Sequence, residues 1–492
     1  MYIESKGNFI NGEWKEARGE CFKSYSPVNG ELLWKGNKSI EVDVQLAIDS
    51  AKEASKLWSG LSLEERIKYL EKYVDVLKEN KEELAKAISY EVGKPLWEAI
   101  TEVNSMISKL EPCIESFELR NQTITRELAN GSKSITKFKP HGVVAIIGPY
   151  NFPGHMPNGH ILAALLAGNT IVLKPSEKVP FASEKVMELW EKAELPYGVI
   201  NMVQGDKVTG ESLCTNSEIN GVFFTGSKKS GQRIEELCLH KKICALEMGG
   251  NSPLIVWDTS NIDGAVIATI QSSFITSGQR CSSARRLIVP NNDFGEKFLQ
   301  RLVQITKKIK IGKVEDIPEP FMGPMKSKEL ADNVISKQNN LIQNGAKVLL
   351  ESRKLRELGD AYITPGIIDV TQVWHKEDEE IIGPFIQVTR VDDFEQAIES
   401  ANDTCYGLAA GIFTEDKKIY DIFEKNIKAG IINWNQQLTG ASKLAPFGGI
   451  KDSGNYRPSG FLATDYCVYA VASIEMEKIE PIDTLPKGIN LY

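Results

Sequence analysis

Cysteine is scarce in this chain of 492 residues: there are eight, scattered along its whole length. No two of them form a CxxC pair, and no cysteine–histidine cluster has the spacing of a zinc site. The pattern is not that of a disulfide scaffold, so we expect a reduced, cytoplasmic protein with no metal site. Most of the cysteines should then be small core residues.

Long apolar runs and an excess of positive charge are also missing. The longest apolar stretch, 161–173, is interrupted by Asn169 and Thr170 and is shorter than the roughly 18–20 residues that span a membrane. The N-terminus does not combine a cationic start with an apolar stretch, as a secretory signal does. The net charge is −8, whereas a general nucleic-acid binder would be basic. We expect neither a membrane nor a nucleic acid as a partner.

The rest of the composition is typical of a folded globular chain, with 42% hydrophobic and 25% charged residues. From residue 143 onward, short apolar runs alternate with helical patterns, which indicates right-handed βαβ units and parallel sheets. The chain before this point is predicted to hold short strands followed by helices. The main strands are predicted at 143–147, 170–174, 199–203 and 221–225, and then at 286–289, 346–349, 385–391, 409–413 and 430–434.

Ligands in such folds bind beyond the carboxyl ends of the strands, so the loops at that edge predict the site. In the junction GSKKSG at 226–231, Ser227 can cap a helix whose free N–H groups suit a phosphate. Its glycines are five apart, unlike those of GxGxxG, so an ordinary helix start is an open alternative. Lys174 and Glu177 could bind ribose hydroxyls, and the carboxylate would repel a 2′-phosphate, which favours NAD over NADP. A solvated turn is the alternative, and the acidic run 377–380 is also typical of solvated surface.

Two further positions have the chemistry of a nucleophile and a base. Cys281, in GQRCSSARR, has Arg280, Arg285 and Arg286 close in sequence, and their positive charge favours the reactive thiolate. Core packing is the alternative for the cysteine, and a surface charge is the alternative for Arg280. Glu247 ends an apolar run, where a buried carboxylate is costly unless it is used. A structural hydrogen-bonding role is its alternative.

These motifs together resemble the aldehyde dehydrogenase superfamily over nearly the whole chain. They stand in the family's order: FINGEW, PYNFP, AGNTIVLKPSE, FFTGS, LEMGGNSP, GQRC, EEIIGPF, ANDTCYGLAAGIFT and PFGGIKDSG. The resemblance implies an α/β fold with a Rossmann-like NAD-binding domain, an α/β catalytic domain and a small β bridging and oligomerisation arm. The ranges implied are 1–117 and 138–248 for the NAD-binding domain, 249–452 for the catalytic domain, and 118–137 and 453–492 for the arm.

The resemblance also implies roles for single residues. Cys281 would be the nucleophile, Glu247 the general base and Asn151 the side-chain donor to the oxyanion. The residues implied in binding NAD are Ile147, Lys174, Ser176, Glu177, Gly205, Gly226, Ser227 and Glu380.

Within the superfamily, the segments GQRCSSARR, LTGAS and SGNYRPSG resemble the subgroup that oxidises N-succinylglutamate 5-semialdehyde. LTGAS is small and hydroxylated, which suits a substrate that carries carboxylates. The candidate substrate contacts are Arg280, Thr439, Ser442 and Arg457.

The resemblance implies NAD-dependent oxidation of N-succinyl-L-glutamate 5-semialdehyde to N-succinyl-L-glutamate, a step of arginine catabolism. Cys281 would form a thiohemiacetal and then a thioester, and Glu247 would activate the water that releases the acid. A homodimer or homotetramer is expected. The open alternatives are succinate or glutamate semialdehyde or an aliphatic aldehyde as substrate, a cofactor-independent thiol esterase, and a non-catalytic protein on the same fold.

Overall fold

The structure is a computed structural model that describes residues 2–374, 377–479 and 485–491. Parts of the predicted NAD-binding, catalytic and arm ranges (residue 1, residues 375–376, and residues 480–484 and 492) lie outside the described residues. Up to residue 120 the chain forms β1 (Ile3–Glu4), β2 (Asn8–Ile10), β3 (Glu13–Lys15), β4 (Cys21–Tyr25), β5 (Leu32–Asn37), α1 (Glu41–Gly60), α2 (Leu63–Glu79), α3 (Lys81–Val92), α4 (Leu96–Ile107) and α5 (Leu110–Arg120).

The middle of the chain alternates between strands and helices. Its elements are β6 (Ile124–Glu127), β7 (Lys133–Pro140), β8 (Val143–Ile147), α6 (His155–Leu166), β9 (Thr170–Lys174), α7 (Pro180–Lys192), β10 (Ile200–Met202), α8 (Lys207–Thr215), β11 (Gly221–Gly226), α9 (Lys228–Cys238), β12 (Ile243–Met248) and β13 (Ser252–Val256).

The last part of the chain forms a second alternating unit and an extended tail. Its elements are α10 (Ile262–Phe274), β14 (Ala284–Pro290), α11 (Asp293–Thr306), α12 (Lys328–Gln343), β15 (Lys347–Leu350), β16 (Gly366–Asp369), β17 (Phe385–Val391), α13 (Phe394–Asn402), β18 (Ala409–Phe413), α14 (Lys417–Asn426), β19 (Ile431–Trp434), β20 (Pro446–Phe447), β21 (Ser459–Gly460) and β22 (Val468–Glu475).

Local signals account for several of the helix ends. Ser62 caps α2, accepting a hydrogen bond from the Glu65 N–H, while the Glu65 side chain reaches back to the Ser62 N–H, as a capping box requires. Pro180 begins α7, where a missing N–H costs nothing. The sequence pattern over 97–117 predicts one helix, but the chain forms two helices there, α4 and α5, which meet around Ser108 and Lys109.

The first large sheet has the strand order β12-β11-β8-β9-β10-β2-β3 and is parallel from β12 to β10. Strand β8 lies between β9 and β11, so the strand order reverses at its carboxyl end. Such a reversal opens a crevice in which doubly wound sheets bind ligands. Strands β8 and β9 are buried along their whole length, which confirms the prediction for both.

A second large sheet has the order β15-β16-β17-β14-β13-β18-β19 and is parallel except at β15. Strand β16 was not predicted, because four residues after a proline give too short a pattern. A separate antiparallel ribbon has the order β22-β7-β6. Within the described residues, no helix is both long and apolar enough to cross a membrane.

The hydrophobic core lies on both faces of each large sheet. Helices α2, α6 and α7 pack on one face of the first sheet, where the Tyr73 and Trp190 rings stack with centroids 3.4 Å apart. Helix α1 covers the other face. This packing fixes the carboxyl ends of β8, β9, β11 and β12, which carry the loops of the site.

Candidate active site

One cavity of about 1180 Å³ joins the crevice of the first sheet to the loops of the second. Residues from the ends of β8, β9, β11 and β12 line one part of it. The loop before β14, helices α4 and α6 and the 437–443 loop line the other part. The volume is large for a single small-molecule site, which suits two ligands that meet inside the cavity.

Cys281 lies in the loop between α10 and β14 and lines this cavity as a free thiol. The backbone just before it is unusual, since Thr276 and Ser277 have φ of 55° and 51°. Gly278 follows with φ of 68°, and a Cβ there would lie 2.0 Å from the Gly383 carbonyl oxygen. Left-handed residues other than glycine cost about 1–3 kcal/mol each and persist only where other contacts hold them.

Glu98 supplies some of those contacts from α4. Its carboxylate accepts hydrogen bonds from the Thr276 hydroxyl and, at 3.2 Å, from the Thr276 N–H. The same carboxylate pairs with the Arg280 guanidinium at 2.8 Å. A buried acid on a helix therefore holds the loop that presents Cys281.

The environment of Cys281 corrects the expectation that nearby arginines make it a thiolate. Burial, followed by the Glu380 and Glu247 carboxylates, raises the pKa of Cys281 to about 12. Arg285 donates to the Gly278, Gly383 and Arg280 carbonyls, and Arg286 donates to the Asn251, Ser400 and Ala401 carbonyls. These arginines stabilise loops rather than the thiolate, so the resting side chain is a thiol.

Glu247 is the penultimate residue of strand β12, lines the cavity and is only 3% exposed. One oxygen accepts a hydrogen bond of 2.9 Å from the Ser459 N–H. The other oxygen, Oε2, is buried and has no hydrogen-bond partner among the described residues. Burial raises the pKa of Glu247 to about 8, and the Ser459 hydrogen bonds only partly oppose it. The result is a carboxyl group that can exchange a proton near neutral pH.

Asn151 follows β8 and lines the same cavity. Its side-chain nitrogen Nδ2 donates to the Gln279 carbonyl at 2.7 Å, which places the amide beside the Cys281 loop. This bond uses one of the two amide hydrogens and leaves the second for a ligand.

A fully buried ion pair positions Asn151 from behind. Lys94 Nζ lies 2.7 Å from Glu102 Oε2 and donates to the Asn151 carbonyl at 2.8 Å. It also lies 3.8 Å from the centroid of the Phe152 ring. The second Glu102 oxygen accepts from the Gly154 and His155 N–H groups at 3.0 and 3.1 Å. The helical pattern of α4 alone did not reveal this pair, because the lysine precedes the helix by two residues.

The crevice side of the cavity has the groups that a dinucleotide needs. Ser227 caps α9 by accepting from the Ser230 N–H at 3.3 Å, so the positive end of this helix faces the cavity beside Gly226. Lys174 Nζ donates to the Pro175 carbonyl at 2.6 Å and lies 3.9 Å from Glu177 Oε2. Burial lowers the pKa of Lys174, and Glu177 partly opposes that change.

Glu380 lies where the two parts of the cavity meet, although the run 377–380 was expected to be solvated. Burial raises the pKa of Glu380 to about 7, while Arg285, 3.5 Å away, opposes the rise. Gly249 permits this approach, because a Cβ there would lie 1.8 Å from Glu380 Oε2. The glycine, the helix end and the cavity volume fit a bound dinucleotide.

The cavity brings together most of the residues that the sequence indicated. The catalytic and cofactor candidates that line the cavity are Cys281, Glu247, Asn151, Ile147, Lys174, Ser176, Glu177, Gly226, Ser227 and Glu380. Gly205 is buried behind Thr209 and does not line the cavity, although its neighbour Asp206 does. Within the described residues, no group of three or more histidine, cysteine or acidic side chains could hold a metal ion.

The four candidate substrate contacts differ in their placement. Arg280, Thr439 and Ser442 line the cavity. The Arg280 guanidinium is already bonded to Glu98, the Thr276 hydroxyl and the Thr439 carbonyl. The Thr439 hydroxyl donates to the Gln271 carbonyl at 3.0 Å. Arg457 is exposed and is not among the residues that line the cavity.

The chain is similar to known proteins along nearly its whole length. A family model described as "Aldehyde dehydrogenase family" matches residues 14–470. The N-succinylglutamate 5-semialdehyde dehydrogenase of Chromobacterium violaceum is 45% identical over 486 residues, which cover 98% of this chain and 99% of that relative.

Solved structures show the same fold. An E. coli NADP-dependent enzyme is 32% identical with a TM-score of 0.90, over 96% of this chain and 98% of that one. A mutant of the P. syringae indole-3-acetaldehyde dehydrogenase AldA, solved in complex with NAD+, is 30% identical with a TM-score of 0.90, over 96% of each chain.

Proposed function

Since the chain belongs to the aldehyde dehydrogenase family, we propose that it oxidises N-succinyl-L-glutamate 5-semialdehyde to N-succinyl-L-glutamate with NAD, as a step of arginine catabolism. The observation that carries the chemistry is the placement of a thiol, a buried carboxyl and an amide donor in one cavity. The 45% identity to a relative that carries this substrate in its name supports the choice of substrate.

Cys281 is the proposed nucleophile. Its sulfur forms a bond to the aldehyde carbon and the thiol proton leaves, so the carbonyl oxygen becomes the oxyanion of a thiohemiacetal. Because the pKa of the thiol is about 12 in the free protein, little thiolate exists before the substrate arrives. We propose that loss of water from the filled cavity and proton transfer to a neighbouring carboxylate accompany the attack.

Asn151 is the proposed donor to the oxyanion. Its amide is held beside the Cys281 loop by the Gln279 carbonyl, and its backbone is held by the Lys94–Glu102 pair. An oxyanion donor of this kind is worth about 3–4 kcal/mol of transition-state stabilisation. The Cys281 N–H is the proposed second donor.

Glu247 is the proposed base for release of the acid. Its unpartnered Oε2 can accept a proton from a water molecule that attacks the thioester carbon. The new C–O bond forms as the C–S bond breaks, and the sulfur leaves as a thiolate that takes up a proton to restore the resting Cys281 thiol. A pKa of about 8 keeps part of the Glu247 population ionised at neutral pH.

The cofactor would be held by the crevice residues. Lys174, Ser176 and Glu177 would bind the adenosine ribose, and Gly226 and Ser227 would bind the pyrophosphate at the α9 terminus. When bound, the dinucleotide accepts a hydride from the substrate carbon. If Glu177 binds this ribose, its carboxylate would repel a 2′-phosphate, which supports the proposal of NAD rather than NADP.

The remaining proposals concern the domain division, the oligomeric state and the location of the protein in the cell. We propose the division into an NAD-binding domain (1–117 and 138–248), a catalytic domain (249–452) and an arm (118–137 and 453–492). The two large sheets and the β22-β7-β6 ribbon support it. The arm would join subunits of a homodimer or homotetramer. A reducing, cytoplasmic location is supported by the eight free thiols.

The test is NADH formation by the purified protein with N-succinylglutamate semialdehyde, succinate semialdehyde, glutamate semialdehyde and propanal. We expect kcat/KM to be at least about tenfold higher for the succinylated substrate. The matched control is Cys281→Ala, which should lose oxidation but still bind NAD. A higher kcat/KM for one of the smaller aldehydes would refute the substrate, and an active Cys281→Ala would refute the nucleophile.

A further inference from the structure

The substrate part of the cavity contains a buried cation without a counter-charge. Lys109, between α4 and α5, is only 7% exposed and lines the cavity. No residue that the structure describes forms a side-chain hydrogen bond or an ion pair with its ammonium group. Buried ammonium groups almost always have a partner, because their desolvation is otherwise uncompensated.

The surroundings of Lys109 do not supply the missing negative charge. Burial lowers the pKa of Lys109, and the only group that opposes this change is the Cys113 thiol. That thiol is itself neutral, since burial raises the pKa of Cys113 to about 12. Two other cations near the cavity differ, because Lys94 is neutralised by Glu102 and Arg280 by Glu98.

The ammonium nitrogen remains accessible from the cavity. The buried polar atoms that are sealed and unpartnered include His155 Nδ1 and Glu247 Oε2 but not Lys109 Nζ. The aliphatic stem of Lys109 passes α6 at Gly159, where a Cβ would lie 3.6 Å from Lys109 Cε. The Lys109 side chain therefore lies against Gly159, and its ammonium group reaches the cavity.

A second cation lies at the same place. Lys443, in the loop that follows LTGAS, lines the cavity, and its Nζ lies 3.4 Å from the Ser108 carbonyl, next to Lys109 in the chain. Its charge further lowers the pKa of Lys109, so the two ammonium groups repel each other. Burial first, and then Lys109, Lys94 and Arg280, lowers the pKa of His155 to about 3, so this neighbouring side chain is neutral and supplies no counter-charge either.

We propose that Lys109 and Lys443 form a carboxylate-binding subsite that selects aldehydes carrying a carboxylate away from the reacting carbon. This deepens the proposed function and rests on it. N-succinylglutamate semialdehyde has two carboxylates at its non-reacting end, and one of them would supply the counter-charge that Lys109 lacks. An uncharged aldehyde would leave the buried Lys109 ammonium without a counter-charge and next to the positive charge of Lys443.

The closing experiment compares two probes on matched variants. Lys109→Met and Lys443→Met keep most of the side-chain volume and remove the charge. Lys109→Arg restores the charge, and Lys297→Met is the control because Lys297 is exposed on α11 and outside the cavity lining. The probes are the kinetic ratio of kcat/KM for N-succinylglutamate semialdehyde over propanal, and calorimetric binding of the product N-succinylglutamate, which needs no turnover.

For Lys109→Met we expect the kinetic ratio to fall by about 30-fold and product binding to weaken by a similar factor. Lys443→Met should lower both less, since that lysine is exposed, and Lys109→Arg should recover part of the loss. Melting temperature and NAD binding report whether each variant is folded. A folded Lys109→Met with an unchanged ratio and unchanged product binding overturns the subsite.

The outcomes separate the subsite from the proposed function. If the wild-type protein prefers another carboxylated semialdehyde and Lys109→Met weakens that preference, the substrate assignment fails and the subsite stands. If the wild-type protein prefers the succinylated substrate and none of the lysine variants alters the preference, the function stands and the subsite is wrong.

Discussion

Glu247→Gln tests whether a buried carboxyl group is the base of this site. The substitution keeps the size of the side chain and removes its ability to ionise. The pKa of Glu247 is raised from 4.5 to about 8 by burial, and each pKa unit corresponds to about 1.4 kcal/mol. Ionising Glu247 should therefore be about 5 kcal/mol less favourable in the folded chain than in the unfolded chain.

The sign of the stability effect follows from the raised pKa. Between pH 4.5 and about 8 the folded chain holds a proton on Glu247 that the unfolded chain has lost. The free energy of unfolding that Glu247 contributes therefore falls as pH rises through this window. The glutamine of Glu247→Gln cannot ionise, so the variant does not lose stability in this window. Its melting temperature should therefore match that of the wild type at about pH 5 and exceed it by several degrees at about pH 9.

Thermal unfolding of both proteins across this pH range, without cofactor, measures the difference. The other titrating groups, including Glu380, are common to both proteins and cancel. Glu399→Gln is the matched control, because Glu399 is exposed on α13 and lies outside the cavity lining. A constant difference in melting temperature across the range would refute the raised pKa.

The kinetic effect of the same substitution is larger. Loss of a general base slows the dependent step by about 10²–10⁴-fold, so steady-state turnover of Glu247→Gln should fall by that factor. A first burst of NADH, equal to the enzyme present, should remain, and mass spectrometry should find the acyl group on Cys281. Unchanged turnover would contradict the base, and loss of the burst itself would place Glu247 in activation of the thiol.

Three further substitutions test the oxyanion donor, the ion pair behind it and the proposed cofactor crevice. Asn151→Ala should lower kcat by about 10²–10³-fold while NAD binding is retained; an effect on KM alone would contradict an oxyanion donor. Lys94→Met should destabilise the fold by about 3–5 kcal/mol because it leaves Glu102 buried and unpaired, and Lys94→Met combined with Glu102→Gln should recover stability but not kcat. Equal recovery of both would show that the pair does not position Asn151. Glu177→Gln should raise the ratio of NADP to NAD in kcat/KM by about tenfold, and an unchanged ratio would contradict the placement of the 2′-hydroxyl at Glu177.

Local sequence determined most of the architecture. The buried strand β8 is a continuous apolar run, and β9 has three consecutive apolar residues between Thr170 and Lys174. Both patterns are those of a parallel strand covered on both faces. The ends of such strands point to the ligand edge, so the loops that carry Asn151, Lys174 and Ser227 could be identified without coordinates. Glu247 could be singled out in the same way, as a carboxylate at the end of an apolar strand.

The charge environment could not be predicted from the same patterns. Three arginines near Cys281 in sequence suggested a thiolate, yet the fold directs Arg285 and Arg286 to backbone carbonyls and places two carboxylates near the sulfur. Glu380 stands in an acidic run typical of solvated surface, yet Gly249 leaves the space that buries it against Arg285.

The sequence by itself determined which residue types stand at the ends of which strands and helices, because these choices depend on neighbours a few positions away. Only the tertiary structure decided what each charge faces. Lys94 meets Asn151 across 57 positions of the chain, and Lys443 meets Ser108 across 335. Such contacts set burial and electrostatic potential, and these depend on the packing of all the elements at once. The free ammonium of Lys109 is therefore a property of the fold that no local pattern contains.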